Sequence, residues 1–444
     1  MKTLVYLIAM LLQLPTLAQK GTDLAVKIDS YLQPYIKSNN FSGTVLIAKK
    51  GEILFQKAYG FANLEWNAPN ALNTVYHIAS VSKTFTAAAI LILEQKGLLS
   101  TNDLLSTYIP DYPSGSTITI HHLLSHTSGI TNVNNLPEYT AASYEHQTPE
   151  SLISLFKNKP LEFQPGEKYQ YSNSNYNLLA LIIENISGKK YGAFLTENIF
   201  VPLKMTSTFH DDDATKIIVK NAEGYAPDTK FGLQKAPYLD WSSKTGNGSL
   251  ATTVHDLYLW DRALYGNEVL SAASKAKMFT QYAGSGYGWY IAKRFEKDCI
   301  YMNGRSPGFS SHIGRYPEEE ICVIVLENNY VSAATSIGFD LAGLVLNQPI
   351  DQLELKLSKA GKGEYEQLIG QYKFEQDFYQ PNFLMSVSEK DGFLFTDWGI
   401  LIPGKPLHFI QRAYWSKVYF EKGVGGKINK IHFDNFTGTK IDSK

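Results

Sequence analysis

The hydrophobic pattern changes period twice along the chain, and this change constrains the fold more than any other feature. Residues 41–48 and 53–58 have the pattern of two strands joined by the glycine turn at 49–51. Helical patterns follow between residues 80 and 264, and turn-separated strand-like runs return over 287–327. Strands at both ends with helices between them predict one sheet closed by distant segments, with a helical subdomain inserted.

The composition changes after Asn347. Residues 348–362 are polar and lysine-rich, which is typical of a linker, whereas aromatic and polar side chains alternate over residues 363–444. Asp391-Gly392 is a hairpin signal within that segment. We therefore predict a small all-β domain over 363–444, either a barrel or a sandwich. Its aromatic residues, Trp415 among them, are expected to fill the core, and a ligand site built from them is the alternative.

The first residues have the pattern of a secretory signal peptide. Lys2 precedes the apolar run at residues 4–12, and the segment that follows ends with the small residue Ala18. The apolar run is shorter than the roughly 20 residues that a membrane span requires. We predict a signal peptide over residues 1–18, an exported protein that is periplasmic or secreted, and no transmembrane segment after the signal is removed.

Charge and cysteine content narrow the class of protein. The 444 residues include 41 basic and 42 acidic side chains without blocks of like charge, so nucleic acid is not an expected partner. Cys299 and Cys322 lie in strand-like runs that a third strand, residues 310–316, should separate in the sheet. Two buried free thiols are therefore expected, although export would permit a disulfide.

A Ser-x-x-Lys pair is the strongest chemical signal. One helical turn separates Ser80 from Lys83, so the amine can reach the hydroxyl and take its proton. The same spacing occurs elsewhere, at Ser154, Ser187 and Ser274. Ser80 differs because the apolar run 85–93 follows it. This context predicts the N-terminus of a buried helix, where backbone N–H groups stabilise negative charge, with Ser80 as the nucleophile.

A second candidate lies at Tyr171 and Asn173, which follow the turn Pro165-Gly166 and precede a helical pattern. A serine nucleophile needs a base, an acid and an oxyanion hole. The Tyr171 phenol would shuttle the proton if a neighbouring positive field lowers its pKa. The Asn173 amide would hydrogen-bond a substrate amide. Tyr-x-Asn also occurs at Tyr265 and Tyr301. The alternative is therefore an ordinary buried loop tyrosine.

Five ordered segments carry a family resemblance: His77-Ile-Ala-Ser-Val-Ser-Lys-Thr-Phe-Thr-Ala, Ile120-His-His-Leu-Leu-Ser-His-Thr-Ser-Gly-Ile, Gln164-Pro-Gly through Asn173, Pro202-Leu-Lys-Met-Thr-Ser-Thr and Ser306-Pro-Gly-Phe-Ser-Ser. They resemble the class C β-lactamase-like serine hydrolases, which include D-alanyl-D-alanine carboxypeptidases, D-amino-acid peptidases and esterases. The resemblance implies an α+β fold over residues 23–347: an antiparallel sheet flanked by helices, plus an all-helical subdomain, with the active site between them. The C-terminal region resembles the small β-domain often appended to such proteins.

The chain departs from this family at the third signature. The family has Lys or His, any residue and Gly on a strand before a Pro-Gly-Phe turn, whereas this chain has Met302-Asn303-Gly304. The resemblance implies oxyanion donors on the backbone of Ser80 and Arg305, next to Gly304. A literal Lys244-Thr245-Gly246 lies in a glycine-rich loop instead. Either Arg305 or Lys244 is therefore expected to bind a substrate carboxylate, or the substrate has an uncharged acyl group.

Other chemistry has weaker support. His122 and His126 have the spacing of a zinc-binding helix, but the glutamate that metalloproteases place after the first histidine is replaced by leucine. The acidic run 211–213 has no EF-hand frame. We therefore expect no metal and no organic cofactor.

The sequence predicts an exported serine hydrolase that forms an acyl-enzyme with a small-molecule or peptide substrate. One option is a substrate derived from the cell wall. The bond is an ester, an amide or a D-amino-acid peptide. One alternative is a true β-lactamase or D-alanyl-D-alanine carboxypeptidase. An alternative of another class is a non-catalytic binder or sensor of cell-wall fragments, with Met302 marking lost activity.

Overall fold

The computed structural model describes residues 14–331, 333–351, 354–355, 359, 361, 363–375, 378 and 382–441. Residues 1–13 of the predicted signal peptide and much of the predicted linker lie outside these ranges. Within the described part of the chain, none of the helices combines the length and hydropathy needed to span a bilayer.

The α-helices, in chain order, are α1 (Leu14–Lys37), α2 (Ser82–Gln95), α3 (Leu105–Tyr108), α4 (Ile120–Leu124), α5 (Pro137–Ala142), α6 (Pro149–Ser154), α7 (Asn173–Ser187), α8 (Tyr191–Leu195), α9 (Val254–Ala263), α10 (Ala272–Phe279) and α11 (Ala333–Val345). A π-helical turn, Thr196–Phe200, extends α8. Short 3₁₀ turns lie at Ala79–Val81, Val133–Asn135, Trp241–Lys244 and Glu366–Leu368.

The strands are β1 (Gly43–Lys49), β2 (Glu52–Tyr59), β3 (Phe61–Asn63), β4 (Ala68–Pro69), β5 (Tyr76–His77), β6 (Phe209–His210), β7 (Tyr225–Pro227), β8 (Leu233–Lys235), β9 (Leu250–Thr252), β10 (Tyr290–Arg294), β11 (Lys297–Ser306), β12 (Phe309–Tyr316), β13 (Ile321–Glu327), β14 (Gly370–Phe374), β15 (Leu384–Lys390), β16 (Phe393–Thr396), β17 (Gly399–Pro403), β18 (His408–Gln411), β19 (Ser416–Lys422), β20 (Ile428–Phe433) and β21 (Phe436–Ile441).

The main sheet joins the two ends of the segment 43–327, as the change of period predicts. Its strand order is β10-β11-β12-β13-β1-β2, with antiparallel neighbours throughout. Val45 of the first hairpin pairs with Val325 of the last strand. Strand β12 lies between the strands of Cys299 and Cys322, and both thiols are free and buried. The prediction of two unbridged cysteines is therefore confirmed.

The helical region is organised around α2, whose residues Ser82–Leu93 are all buried. A helix that is apolar on every side must be surrounded by other elements. Helix α7 packs against α2 on one side, and α10 contacts it on another. The opposite face of the sheet is covered by α1 and α11, whose apolar residues form a second core with β1 and β13. The nucleophile candidate therefore lies at the start of the most buried helix of the molecule's described part.

The C-terminal strands β14–β21 form a closed antiparallel barrel. Closure removes the exposed strand edges that an open sheet of this size would have. Asp391 and Gly392 form the predicted hairpin turn, both with positive φ. Phe409, Phe420 and Phe433 fill the barrel core, as expected from the aromatic pattern.

Trp415 is an exception to that expectation. Its ring lies 5.0 Å from the ring of Tyr35 on α1, and it belongs to the core that α1, α11 and the main sheet share. The prediction that Trp415 fills the barrel core is wrong, because its turn points out of the barrel and into the body of the protein. Ile402 and Ile410 join the same cluster, so the barrel is packed onto the body through apolar side chains.

Candidate active site

Ser80 lies in the short 3₁₀ turn Ala79–Val81, which leads directly into α2 at Ser82. The preceding residue, Ala79, has φ +46°, a left-handed conformation that a non-glycine residue adopts at a cost of about 1–3 kcal/mol. Ser80 is partly exposed, whereas Val81 and Ser82 on the same turn are buried. The local fold thus presents the Ser80 hydroxyl at the surface of an otherwise buried element.

Lys83 is fully buried one turn further along α2. Its Nζ lies 3.0 Å from Ser80 Oγ, 2.8 Å from Asn173 Oδ1 and 2.6 Å from the carbonyl oxygen of Asn247. All three partners are uncharged. Burial, and then the positive charge of Lys244, hold the pKa of Lys83 well below its ordinary value. A neutral amine at this position donates to the two carbonyl oxygens and is free to accept the Ser80 proton.

Tyr171 completes the cluster from the loop before α7. Its Oη lies 2.8 Å from Ser80 Oγ, and Lys83 Nζ lies 5.0 Å from the centre of its ring. Burial, with a contribution from Tyr290, raises the pKa of Tyr171 far above the physiological range. The condition that the sequence interpretation set for a proton shuttle, a lowered pKa, is therefore not met, because burial dominates. Tyr171 is a neutral phenol, which suits it to pass a proton rather than to act as a resident base.

His126 fixes the position of Tyr171. The two rings lie 4.6 Å apart, and the N–H of Ser172 donates to His126 Nδ1 over 3.2 Å. Burial and the charge of Lys83 lower the pKa of His126 to about 3, so the ring stays neutral and Nδ1 can accept. The sequence offered His126 only as half of a zinc motif. His122 instead accepts the N–H of Thr119 in the cap of α4, and no described His, Cys, Asp or Glu cluster could hold a metal.

Asn173 is bound on both sides of its amide. Its Oδ1 accepts from Lys83, and its Nδ2 donates to Asn134 Oδ1 over 2.9 Å. Its backbone N–H donates to Asn132 Oδ1 over 3.1 Å. The loop at 132–134 therefore contributes to the site, although its sequence has no recognisable chemical motif. Asn247 was likewise missed, since only its backbone carbonyl takes part.

Gly304 brings the edge of β11 against the Ser80 turn. A Cβ at this position would lie 2.2 Å from the carbonyl oxygen of Ile78 and 2.9 Å from the backbone nitrogen of Ser80. Only glycine permits so close an approach. Two positions earlier, Met302 is buried beside Tyr171 and His126, so the place of the family's basic side chain is apolar.

The two candidate cations near this strand have different surroundings. The Arg305 guanidinium donates to the carbonyl oxygens of Tyr330 and Ala413, 3.3 and 3.1 Å away, which directs it towards the barrel. Lys244 is 7% exposed and its Nζ lies 5.0 Å from the ring centre of Tyr139. Among the described residues it has no carboxylate at ion-pair distance. Lys244 is thus a buried, unpaired cation whose field reaches Lys83.

A cavity of about 290 Å³ adjoins the segments that carry Ser80 and Arg305. Its walls include His77, Asp211, Trp241 and Phe309. His77 stacks on Trp241 at 3.8 Å, and its Nε2 lies 2.8 Å from Asp211 Oδ2. Asp211 is therefore the partner of a buried histidine. Ser80, Lys83 and Tyr171 are not among the residues that line this cavity.

Comparisons with known proteins agree with this arrangement. The sequence matches the family described as Beta-lactamase over residues 28–342. It is 30% identical to penicillin-binding protein 4* of Bacillus subtilis (strain 168) over 370 residues, which cover 76% of this chain and 80% of that protein.

Two solved structures share the fold. The octameric penicillin-binding protein homologue from Pyrococcus abyssi has a TM-score of 0.67 at 23% identity, covering 93% of this chain and 99% of that one. The D-amino acid amidase from Ochrobactrum anthropi SV3 has a TM-score of 0.64 at 21% identity, covering 72% and 99%. The family match over residues 28–342 and the 30% identical relative establish that this chain belongs to the beta-lactamase family.

Proposed function

We propose that this protein is an exported serine hydrolase that forms an acyl-enzyme at Ser80 and cleaves an ester, amide or D-amino-acid peptide bond. The observation that carries the proposal is the cluster of three side chains at Ser80, with Lys83 Nζ 3.0 Å and Tyr171 Oη 2.8 Å from its Oγ. A hydroxyl between a depressed-pKa amine and a phenol has both groups needed for proton transfer. The hydrolase domain is proposed to span residues 23–347 and the β-domain 363–444, joined by the linker 348–362.

Acylation begins with the Ser80 proton. The neutral Lys83 amine takes this proton while Oγ attacks the carbonyl carbon of the substrate. The bond to the leaving group breaks when the tetrahedral intermediate collapses, and Tyr171 passes a proton to the departing oxygen or nitrogen, which Lys83 replaces. Water then attacks the acyl-enzyme by the reverse use of the same groups, which releases the acid and restores the Ser80 hydroxyl.

The negative charge of the intermediate is assigned to the backbone N–H groups of Ser80 and Arg305. Strands β11 and β12 are joined by the two-residue turn Pro307-Gly308, which Ser306 and Phe309 close. In such a hairpin the closing pair exchanges hydrogen bonds and the next pair does not, so the N–H of Arg305 faces the open edge of β11. Gly304 brings that edge to the Ser80 turn. This close approach supports the proposal that the two donors face one side of Oγ, as oxyanion stabilisation requires.

Recognition of a charged or an uncharged substrate depends on Lys244. Met302 supplies no cation, and the Arg305 guanidinium is engaged with the carbonyl oxygens of Tyr330 and Ala413. Lys244 is the remaining candidate, because its charge has no carboxylate partner among the described residues. If Lys244 binds a substrate carboxylate, the alternative substrates, β-lactams or D-alanyl-D-alanine peptides, are favoured. Without a contribution from Lys244, the enzyme acts on uncharged acyl groups.

The relatives support hydrolysis of amide-type bonds. A named penicillin-binding protein is 30% identical to this chain, and a D-amino acid amidase shares its fold. The predicted signal peptide supports action outside the cytoplasm. The proposed substrate is a small molecule or a peptide, and a fragment of the cell wall is one candidate.

The proposal is tested with p-nitrophenyl esters, a chromogenic cephalosporin and D-amino-acid amides, together with a fluorophosphonate label read by mass spectrometry. We expect labelling at Ser80 and turnover of at least one substrate, both lost in Ser80→Ala. If no acylating probe labels the wild-type protein, the binder or sensor of cell-wall fragments is the better account. At alkaline pH, where the Lys83 amine is neutral with or without the charge of Lys244, Lys244→Met separates the substrate classes, because it should raise KM for carboxylate-bearing substrates and leave neutral esters within about 2-fold.

A further inference from the structure

We propose that the C-terminal barrel completes the active site, and that Tyr414 in its β18–β19 turn is a positioning residue for the oxyanion donor on Arg305. This inference rests on the proposed function, since it concerns the same acyl transfer. It gives the barrel a role in catalysis, although none of its described residues hydrogen-bonds to Ser80.

The side chain of Arg305 is enclosed by one residue from the body and two from the barrel. Its guanidinium carbon lies 3.8 Å from the ring centre of Tyr330 and 4.7 Å from that of Tyr414. The same guanidinium donates to the carbonyl oxygens of Tyr330 and Ala413. A planar guanidinium between two aromatic faces, with donors on fixed carbonyls, has little freedom to move.

The barrel turn that supplies Tyr414 is itself anchored to the body on both sides. On one side, Arg412 is buried; its Nε donates to Asn40 Oδ1 over 2.8 Å and its Nη2 donates to the carbonyl oxygen of Gly232 over 3.0 Å. On the other side, Trp415 packs against Tyr35 at 5.0 Å. Tyr414 lies between these two anchors. These contacts hold the turn in place against the body of the protein.

The C-terminal end of strand β11 has a neighbouring strand on one side, so contacts with the barrel can support it. Its pairing with β10 stops at Tyr301, so residues 302–306 are paired to β12 alone and leave their other edge open towards Ser80. The backbone N–H of Arg305 is the proposed donor on that edge. The Arg305 side chain contacts the barrel at Ala413 and Tyr414, and through these contacts the barrel holds the end of β11 in place. Small displacements of an oxyanion donor are costly because its interaction is made with the transition state.

The test compares Tyr414→Ala with Tyr414→Phe in the full chain. Phenylalanine keeps the aromatic face over Arg305, whereas alanine removes it. The matched control is Tyr419→Ala, because Tyr419 is another partly exposed tyrosine on β19 whose ring stacks on His408 and His432 within the barrel. Readouts are the rate of fluorophosphonate labelling of Ser80, kcat and KM for the best ester, and the thermal unfolding midpoint.

We expect Tyr414→Ala to lower kcat and the labelling rate about 10-fold with KM changed less than about 2-fold, the pattern of a loss confined to the transition state. Tyr414→Phe and Tyr419→Ala should stay within about 2-fold of the wild type. Arg305→Lys, which keeps the charge but loses the planar fork, should show the same kcat loss. Wild-type rates in Tyr414→Ala, or an equal loss in Tyr419→Ala, would overturn this inference alone. A wild-type protein that is never labelled overturns the proposed function and this inference with it.

Discussion

Lys83 and Arg315 are both buried basic side chains of the same domain, and their surroundings differ in one respect. Arg315 on β12 faces the carboxylate of Asp261, with Nε 2.5 Å from Oδ1, and both side chains are almost completely buried. Lys83 faces a hydroxyl, an amide oxygen and a backbone carbonyl. The pKa of Arg315 is raised by Asp261 in spite of its burial, whereas that of Lys83 is lowered by burial and by Lys244.

For these two side chains, the presence or absence of a carboxylate accounts for the difference in pKa. With Asp261, Arg315 stays charged and the pair joins α9 to the sheet. Lys83 has no carboxylate and is fully buried, so its amine loses a proton more easily and is suited to act as the proposed base. The proposed reactivity of Lys83 is thus associated with the lack of a carboxylate partner. Three substitutions test this difference between Lys83 and Arg315.

The largest effect is expected from removal of the unpaired amine. Lys83→Met should lower kcat/KM for any substrate at least ~10³-fold, because no other group at Ser80 has a depressed pKa suited to take its proton. The measurement is steady-state kinetics on the best ester. Lys293→Met is the matched control, since Lys293 is an exposed lysine paired with Asp298, and it should keep wild-type rates. Retention of more than a tenth of the activity in Lys83→Met would remove lysine from the role of base.

A large effect on stability, and little on chemistry, is expected at the paired cation. Asp261→Asn leaves Arg315 buried without its carboxylate and should lower the free energy of unfolding by about 3–5 kcal/mol. Urea unfolding measures this change. Asp298→Asn breaks an exposed pair and should cost less than about 1 kcal/mol. The comparison would be wrong if Asp261→Asn mainly changed kcat per folded molecule.

The smallest effect is expected at Lys244, which acts on Lys83 through its field. In the proposed mechanism the base is the neutral Lys83 amine, so kcat/KM should rise as pH increases through the pKa of Lys83. Because a neighbouring positive charge lowers that pKa, Lys244→Met should raise it and move the rising limb to higher pH, with lower activity on the acid side. Lys244→Arg keeps the charge and should keep the limb in place. A pH profile of kcat/KM on a neutral ester checks this, and an unmoved limb in Lys244→Met would show that the field does not reach the base.

Much of the site could be predicted because its parts are local. Ser80 and Lys83 lie one helical turn apart, and Tyr171 and Asn173 flank the start of the next buried helix. Such spacing survives whatever the rest of the chain does. A sheet closed by distant segments, the unbridged cysteines and the all-β C-terminal region were likewise predictable from periodicity, whereas the antiparallel pairing was implied by the family resemblance.

Other features depended on contacts between distant segments. Arg305 was a reasonable carboxylate ligand in sequence, but Ala413, 108 residues further along, accepts its guanidinium. Trp415 has the pattern of a barrel core residue and packs on α1 instead. The pKa of Tyr171 is raised, whereas the proposed shuttle was made conditional on a lowered pKa, because the burial of a side chain is not visible in its neighbours along the chain.

The sequence by itself determined the candidates for the reaction: the hydroxyl of Ser80, the amine of Lys83 one helical turn away, and the phenol of Tyr171 in the loop before α7. The tertiary structure alone decided their protonation and their supports. It enclosed Lys83 without a carboxylate, placed Lys244 nearby and turned Arg305 towards the barrel. The physical reason is that spacing follows from covalent geometry within one helix, whereas desolvation and charge fields sum over every segment that packs around a group.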